Sequence, residues 1–224
     1  PPFSIQKICI LGELFGRTCG EWFSDFDLPK IFNLINEYFN VFPRVIIHHY
    51  NSNLSLNDFM INCAKEITKE NEKYAIYDHK KYIFDKICII FISIRLGLQS
   101  ISEEYFPSIK KLFNCKEFLG FVGGRVQSAS YFFGYINNDL LFMDPHYNQS
   151  SIKDLEIEGI STYMNKTIYT LPLTNLQTAL TLGFLLRNNE EFIDFLKFCN
   201  LISKDENSAF YISGIKNLVV IENE

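Results

Sequence analysis

No two cysteines stand at CxxC spacing in this chain, and no apolar run approaches the roughly 20 residues a bilayer-spanning helix needs. The six cysteines (Cys9, Cys19, Cys63, Cys88, Cys115, Cys199) lie scattered, most of them inside apolar runs. That pattern fits a reduced, cytoplasmic chain better than the disulfide framework of a small secreted domain. No signal peptide stands at the start, and no stretch repeats. The chain opens on Pro1 rather than Met and is read as a fragment. Basic residues form no stripe, and the net charge is −5, so a nucleic-acid role is not expected. Charged residues make up only 21%, too few for a disordered chain or a coiled coil.

What the chain has is apolar and aromatic bulk. Its 224 residues include 22 Phe and 12 Tyr, and 47% are hydrophobic, enough for one large core or two small ones. Ser4 reads as the cap of a first helix, and three glycines occupy the loop Gly12–Gly20 that follows. Asp27 reads as the cap of a second helix with Pro29 in its first turn. Leu28, Ile31, Phe32, Ile35, Tyr38 and Phe39 form one stripe along it. A β-branched strand is expected over Arg44–Tyr50 and a helix over Asn57–Lys69. Residues 69–86 read as a helix end and a polar surface excursion. The run Ile87–Ile94 has the length and composition of a buried central strand. A helix over Glu103–Phe113, a strand over Leu180–Arg187, a helix over Glu190–Asn200, and closing strands at Ala209–Ile212 and Asn217–Ile221 complete the pattern. Ser150–Lys166 reads as a polar connection. Together these elements predict an α+β fold with a mostly antiparallel sheet.

The stretch from Leu119 to His146 carries the chemistry. A strand leads through Gly123-Gly124 into a hairpin whose turn is Asn137-Asn138, residues that tolerate the positive φ a two-residue loop requires. Ile136 then pairs with Asp139, Tyr135 with Leu140 and Phe133 with Phe142, which sets Asp144 opposite Tyr131 and His146 opposite Ala129. Residues two apart on a strand share a face at about 6.6 Å, a gap that a carboxylate and an imidazole can bridge. Pro145 biases Asp144 toward extended backbone. A carboxylate on Nδ1 fixes the tautomer and leaves Nε2 to take a proton from a thiol. The plainer reading makes Asp144 a turn residue and His146 a surface side chain, and residue types alone leave both open.

Other groups signal less. His48-His49 are adjacent on a strand, point to opposite faces and have no third ligand at metal spacing, so packing or surface roles are expected and no metal site. Gly123-Gly124 lacks the Lys-Ser/Thr of a phosphate loop. No serine-nucleophile elbow is present. Lys80-Lys81, Lys110-Lys111 and His79 read as solvated surface. Cys9, Cys63, Cys88 and Cys199 read as core packing.

The block Leu119–His146, with its Gly-Gly loop, Ser-Ala, Tyr-Phe-x-Gly-Tyr strand and Asp-Pro-His, resembles the autophagins, the cysteine proteases of autophagy. Ser4-Ile5-Gln6-Lys7-Ile8, Gly16-x-x-x-Gly20-x-Trp22 and Arg95-Leu96-Gly97-Leu98 resemble further blocks of that family. The resemblance implies a papain-like α+β protease fold, with the chain as the C-terminal portion of that domain. It makes His146 the base and Asp144 its orienting partner. It makes Gly124, Arg125, Val126, Gln127 and Ser128 a loop over the active-site entrance, with Val126 where the family usually has Pro. Trp22 matches a family aromatic and is expected to pack. The implied substrate is the glycine-terminated tail of an autophagy ubiquitin-like modifier, or its phosphatidylethanolamine conjugate. Membrane contact would then come only through the lipidated substrate, and no cofactor is implied. The family nucleophile lies in a Gly-Trp-Gly-Cys context that this sequence does not contain. Cys19, followed by Gly20-Glu21-Trp22, is a weak substitute, because Glu21 occupies the place directly before the aromatic.

Overall fold

The structure, a computed structural model, describes residues 2–24, 26–68, 73–125, 128–148 and 167–222. Ser4 does cap the first helix: its Oγ accepts from the Lys7 amide, and α1 runs Ile5–Gly12. The second helix, α2, spans Asp27–Phe39. Asp27 is its first residue rather than its cap, a position held by Phe26. The Asp27 carboxylate instead accepts from the Ser24 amide, the Ser24 hydroxyl and the Arg17 guanidinium. Burial pushes its pKa up, but the Ser24 bonds and Arg17 outweigh it and hold the group low. Pro29 sits in the first turn, and Ile31 and Ile35 are fully buried on the expected stripe, but its C-terminal members depart from it: Tyr38 is 77% exposed and Phe39 is exposed as well.

Strand β1 (Val45–Asn51) and the short β2 (Asn53–Ser55) lead into α3, Leu56–Cys63. This helix is shorter than expected, because Ala64 turns to extended backbone and the chain enters β3, Lys65–Ile67. The region read as a polar excursion is also corrected: it holds strands β4 (Lys73–Tyr77) and β5 (Lys80–Ile83). Tyr74, Ala75, Tyr77 and Tyr82 are buried while Lys80 is exposed. Polar and charged neighbours hide this inward-facing set in the composition. The longest apolar run forms β6, Ile87–Arg95. A short 3-10 turn precedes α4, Phe106–Leu112, with Pro107 in its first turn. Next come β7 (Phe118–Arg125), β8 (Ser128–Ile136), β9 (Asp139–Met143), β10 (Tyr169–Pro172) and β11 (Ala179–Leu186). The chain continues through α5 (Asn189–Ile202), β12 (Tyr211–Ser213) and β13 (Leu218–Glu222). The expected connection Ser150–Lys166 lies outside the described residues.

Seven strands form one sheet in the order β1-β6-β11-β7-β8-β9-β10, in which only β1 and β6 run parallel. A second sheet, β13-β4-β5-β3, is wholly antiparallel, and β12 pairs with β2 in parallel. Helices flank the large sheet, so the α+β class and its mostly antiparallel sheet are as expected. β6 is interior, between β1 and β11, with Cys88, Ile90 and Ile92 fully buried. Helix α5 buries Phe192, Phe195 and Cys199 against that core, where Phe195 meets Phe184 edge-on. Helix α2 covers the sheet near β1 and β6, where Phe32 approaches Phe91.

Candidate active site

The hairpin that delivers the pair turns where expected. Asn137 adopts φ of 55°, and Ile136–Asp139 and Tyr135–Leu140 are register partners. The expected register then fails by one residue. Gly134 pairs with Leu141, Phe133 is bulged out, and Phe132 rather than Phe133 pairs with Phe142. Consequently Met143, not Asp144, stands opposite Tyr131, and β9 ends there. Asp144 and His146 lie just past the strand end.

They meet nonetheless. His146 Nδ1 is 2.5 Å from Asp144 Oδ1, and the same oxygen accepts from the His146 backbone amide at 3.0 Å. One carboxylate oxygen therefore grips both the ring and the backbone of its neighbour two residues on. That double contact sets the ring orientation and favours the tautomer with hydrogen on Nδ1. Nε2 makes no hydrogen bond among the described residues. The imidazole is half exposed at 49%, whereas the Asp144 side chain keeps only 22% of its surface. Such a pair can accept a proton at Nε2 from an incoming acidic group and stabilise the imidazolium formed.

Two tyrosines that sequence reasoning did not single out flank the pair. Tyr169 is the register partner of Phe142 in β9 and packs its ring 5.5 Å from that phenyl. Its hydroxyl donates to the Tyr147 hydroxyl at 2.9 Å, and the two phenols stack. Tyr169 has its pKa raised, first by that bond and also by the Asp144 charge. The residue after His146 is thus pinned to β10. No sequence signal announces this, because the contact joins strands separated by a long connection.

The register also places the β7–β8 turn at this end of the sheet, since β8 runs back from Tyr131 to Ser128 beyond Met143. Arg125 and Ser128 are paired across it. Gly124 permits the turn: a Cβ there would stand 2.2 Å from the Ser128 carbonyl oxygen, and its own carbonyl accepts from the Gln177 amide. Val126 and Gln127 of the expected entrance loop lie outside the described residues. Arg95 ends β6 at the same end, where the Leu96 amide donates to Thr178.

None of the six thiols is a hydrogen-bond partner of the His146 ring. Cys63, Cys88, Cys115 and Cys199 are buried, Cys9 is half-buried and Cys19 is exposed; all six are free thiols. Cys115 donates to the Glu117 carboxylate, and burial above all pushes its pKa up, which disfavours the thiolate there. Trp22, expected to pack, is 61% exposed. His48 and His49 sit in β1 as expected. His49 bonds Ser93 Oγ at 3.0 Å, and burial, with a contribution from Lys30, lowers its pKa to about 4.

The sequence matches the model of the peptidase C54 catalytic domain family over residues 1–198. It is 24% identical to the cysteine protease ATG4B of Xenopus laevis over 211 residues, covering 90% of this chain and 55% of that protein. It is 22% identical to the cysteine protease ATG4A of Gallus gallus, covering 91% of this chain and 57% of that one. To the cysteine protease ATG4 of Saccharomyces cerevisiae it is 26% identical, with 85% and 35% covered. The chain thus spans about half the length of the vertebrate relatives it matches. With the Asp144–His146 pair inside the matched stretch, the chain belongs to the peptidase C54 family.

Proposed function

We propose that this chain supplies the acid–base half of a cysteine protease acting on an autophagy ubiquitin-like modifier. The observation that carries the reading is the Asp144–His146 contact, with one carboxylate oxygen on both the ring and the backbone. The relatives' names say cysteine protease. In the proposed reaction His146 Nε2 takes the proton of a thiol, and the thiolate attacks the carbonyl of the substrate's terminal glycine. The imidazolium then protonates the leaving amine, which frees it and leaves a thioester. Finally the ring activates water to hydrolyse that thioester. Cleavage after glycine and release of phosphatidylethanolamine are the same acyl transfer with different leaving amines. The role of the Gly124–Ser128 turn as an entrance loop belongs to this proposal.

The thiol would come from outside these 224 residues, since none of the six cysteines bonds the ring. An uncovered apolar strip beside the pair, Met143–Tyr131–Val122, is where its segment would pack. Tyr131 and Val122 are register partners and 40% and 43% exposed. The same absence of a partnered thiol favours one second reading, a module that holds the modifier without cutting it.

The test is cleavage of a modifier carrying a reporter after its C-terminal glycine, by this chain and by the longest protein its reading frame encodes. The proposal expects thiol-dependent turnover, blocked by iodoacetamide, in the longer protein. His146→Ala there should lower kcat/KM about 10⁴-fold. Turnover retained in His146→Ala overturns the base assignment. Tight binding without cleavage by the longer protein establishes the holding module instead.

A further inference from the structure

The smaller antiparallel sheet has two edges of different character. Its order is β13-β4-β5-β3, so no described strand lies beyond β13 or β3. β3 is defended in the usual way for an edge. It has three residues, and Lys65 and Glu66 are exposed there in ion pairs with Asp85 and Lys80. β13 carries none of these devices. Its five residues, Leu218-Val219-Val220-Ile221-Glu222, hold four aliphatic side chains in a row and neither Pro nor Gly. Val219 keeps 52% of its surface. The strand also lies beyond residues 1–198, the stretch that matches the family model. We propose that β13 pairs antiparallel with β13 of a second copy of this chain, about a two-fold axis through Val220, and joins the two small sheets into one.

Hydrogen-bond alternation decides which groups the edge offers. Asp78 and His79 adopt φ of 49° and 66°, the two left-handed residues of a tight turn, so Tyr77 and Lys80 bond to each other across β4 and β5. Bonding direction alternates along a strand, so Ile76 and Tyr74 turn their groups to β13, where their partners are Val219 and Ile221. The Asp78 amide donates to the Asn217 carbonyl, which fits the same phase. Leu218, Val220 and Glu222 therefore point N–H and C=O away from β4, at the open edge. Pairing about Val220 sets Val220 opposite its own copy and Leu218 opposite Glu222 of the other copy. Each outward N–H then meets an outward C=O.

The edge complements itself in side chains and in charge. Leu218 and Val220 lie on one face and pack against the core, while Val219 and Ile221 lie on the other. The two-fold extends both rows with aliphatic side chains, Val220 beside Val220 and Val219 beside Ile221. The sequence is basic just before the strand, at Lys216, and acidic at its end, at Glu222. Antiparallel pairing brings these opposite charges to the same end of the seam, whereas parallel pairing would set like charges together. A five-residue strand pair is small beside the roughly 1,200–2,000 Å² of a stable complex, so this dimer is weak and responds to concentration.

The experiment measures sedimentation equilibrium and amide exchange on the folded chain between about 5 and 500 µM, a range over which mass action shifts a weak dimer. A monomer–dimer equilibrium is expected. As the dimer fills, the Leu218 and Val220 amides should exchange about threefold more slowly, while those of Val219 and Ile221, already bonded to β4, should not change. Val220→Pro removes an outward N–H and no bond to β4, so it should keep the fold and abolish the dimer. A chain that is monomeric throughout overturns self-pairing, as does a dimer that persists in Val220→Pro. Leu218 and Val220 amides that exchange at one rate at every concentration also overturn it, and leave the edge to a strand from another protein. The exchange measurement uses the wild-type chain, so it decides even if Val220→Pro fails to fold. No proteolysis enters the readout, so failure here leaves the protease reading standing.

Discussion

His146 and His49 sit in different parts of the same sheet and meet opposite surroundings. His49 is on β1 in the half roofed by α2, bonded to Ser93 Oγ, and the Lys30 charge disfavours its protonation. His146 follows β9 in the half where Val122 and Tyr131 remain uncovered, and a carboxylate lies 2.5 Å from its ring. Burial without a counter-charge keeps an imidazole neutral and inert. Partial exposure beside a fixed carboxylate leaves one nitrogen free for proton transfer. On the proposed reading, covering, more than residue type, separates His49 as a structural histidine from His146 as a chemical one.

The comparison breaks most sharply at Asp144. In a thiol-bearing form of the protein, Asp144→Asn should cut kcat about 10³- to 10⁴-fold, because the amide favours the wrong tautomer. Modifier affinity should hold within about twofold, since binding does not use the ring's protonation. His49→Gln in the same assay should leave kcat essentially unchanged. An affinity loss at Asp144→Asn as large as the rate loss would make Asp144 a structural residue like its counterpart in the covered half.

The covered half should also carry more stability per side chain. Ile31 of α2 is fully buried, and Ile31→Ala should cost about 2–5 kcal/mol in urea unfolding. Val122 on the uncovered strip keeps 43% of its surface, and Val122→Ala should cost about 1 kcal/mol or less. Equal costs would show that the strip is packed in solution and remove it as a surface for another segment.

Much of this contrast was legible in advance, and the failures have physical causes. Ser4, the Ile31–Ile35 part of the α2 stripe, β6 and the Asn137 turn were readable because each rests on local chemistry: a cap, a period, an apolar run, a positive φ. The Asp144–His146 contact was readable from two-residue spacing, although the pair sits past the strand. The bulge at Phe133 was not, because Phe132 and Phe133 are both aromatic and neither face of the pattern marks the extra residue. β4 and β5 were hidden by their lysines, whose alternation with buried tyrosines emerges only against β13 and β3. The contacts of Tyr169 with Phe142 and Tyr147 depend on distant segments meeting, and no local pattern encodes that.

Acid should expose His49 by a different route. Its folded pKa of about 4 lies below the ordinary histidine value of 6.5, so the unfolded chain binds the proton more readily. The stability it contributes is complete above about pH 6.5 and is lost as pH falls toward 4. Between pH 7 and 5 the loss should be about 1–2 kcal/mol after allowing for solvent screening. His49→Gln, which retains a partner for Ser93, should flatten that part of the stability–pH curve. A variant curve parallel to the wild type would mean that His49 binds its proton equally well folded and unfolded, and the contrast with His146 would fail.

The smallest effect tests how firmly the chemical half is held. Tyr147→Phe removes the hydroxyl that accepts from Tyr169 but keeps the stacked ring. Both side chains are partly or fully in reach of water, so global stability should fall by only about 0.5 kcal/mol. The local consequence should be easier to see. The His146 amide, bonded to Asp144 Oδ1, should exchange with solvent about two- to threefold faster, because the segment after β9 loses one of its ties to β10. Unchanged exchange would mean that the carboxylate alone orders the segment. The positioning of His146 would then be a property of residues 144–146 themselves, independent of the neighbouring strand.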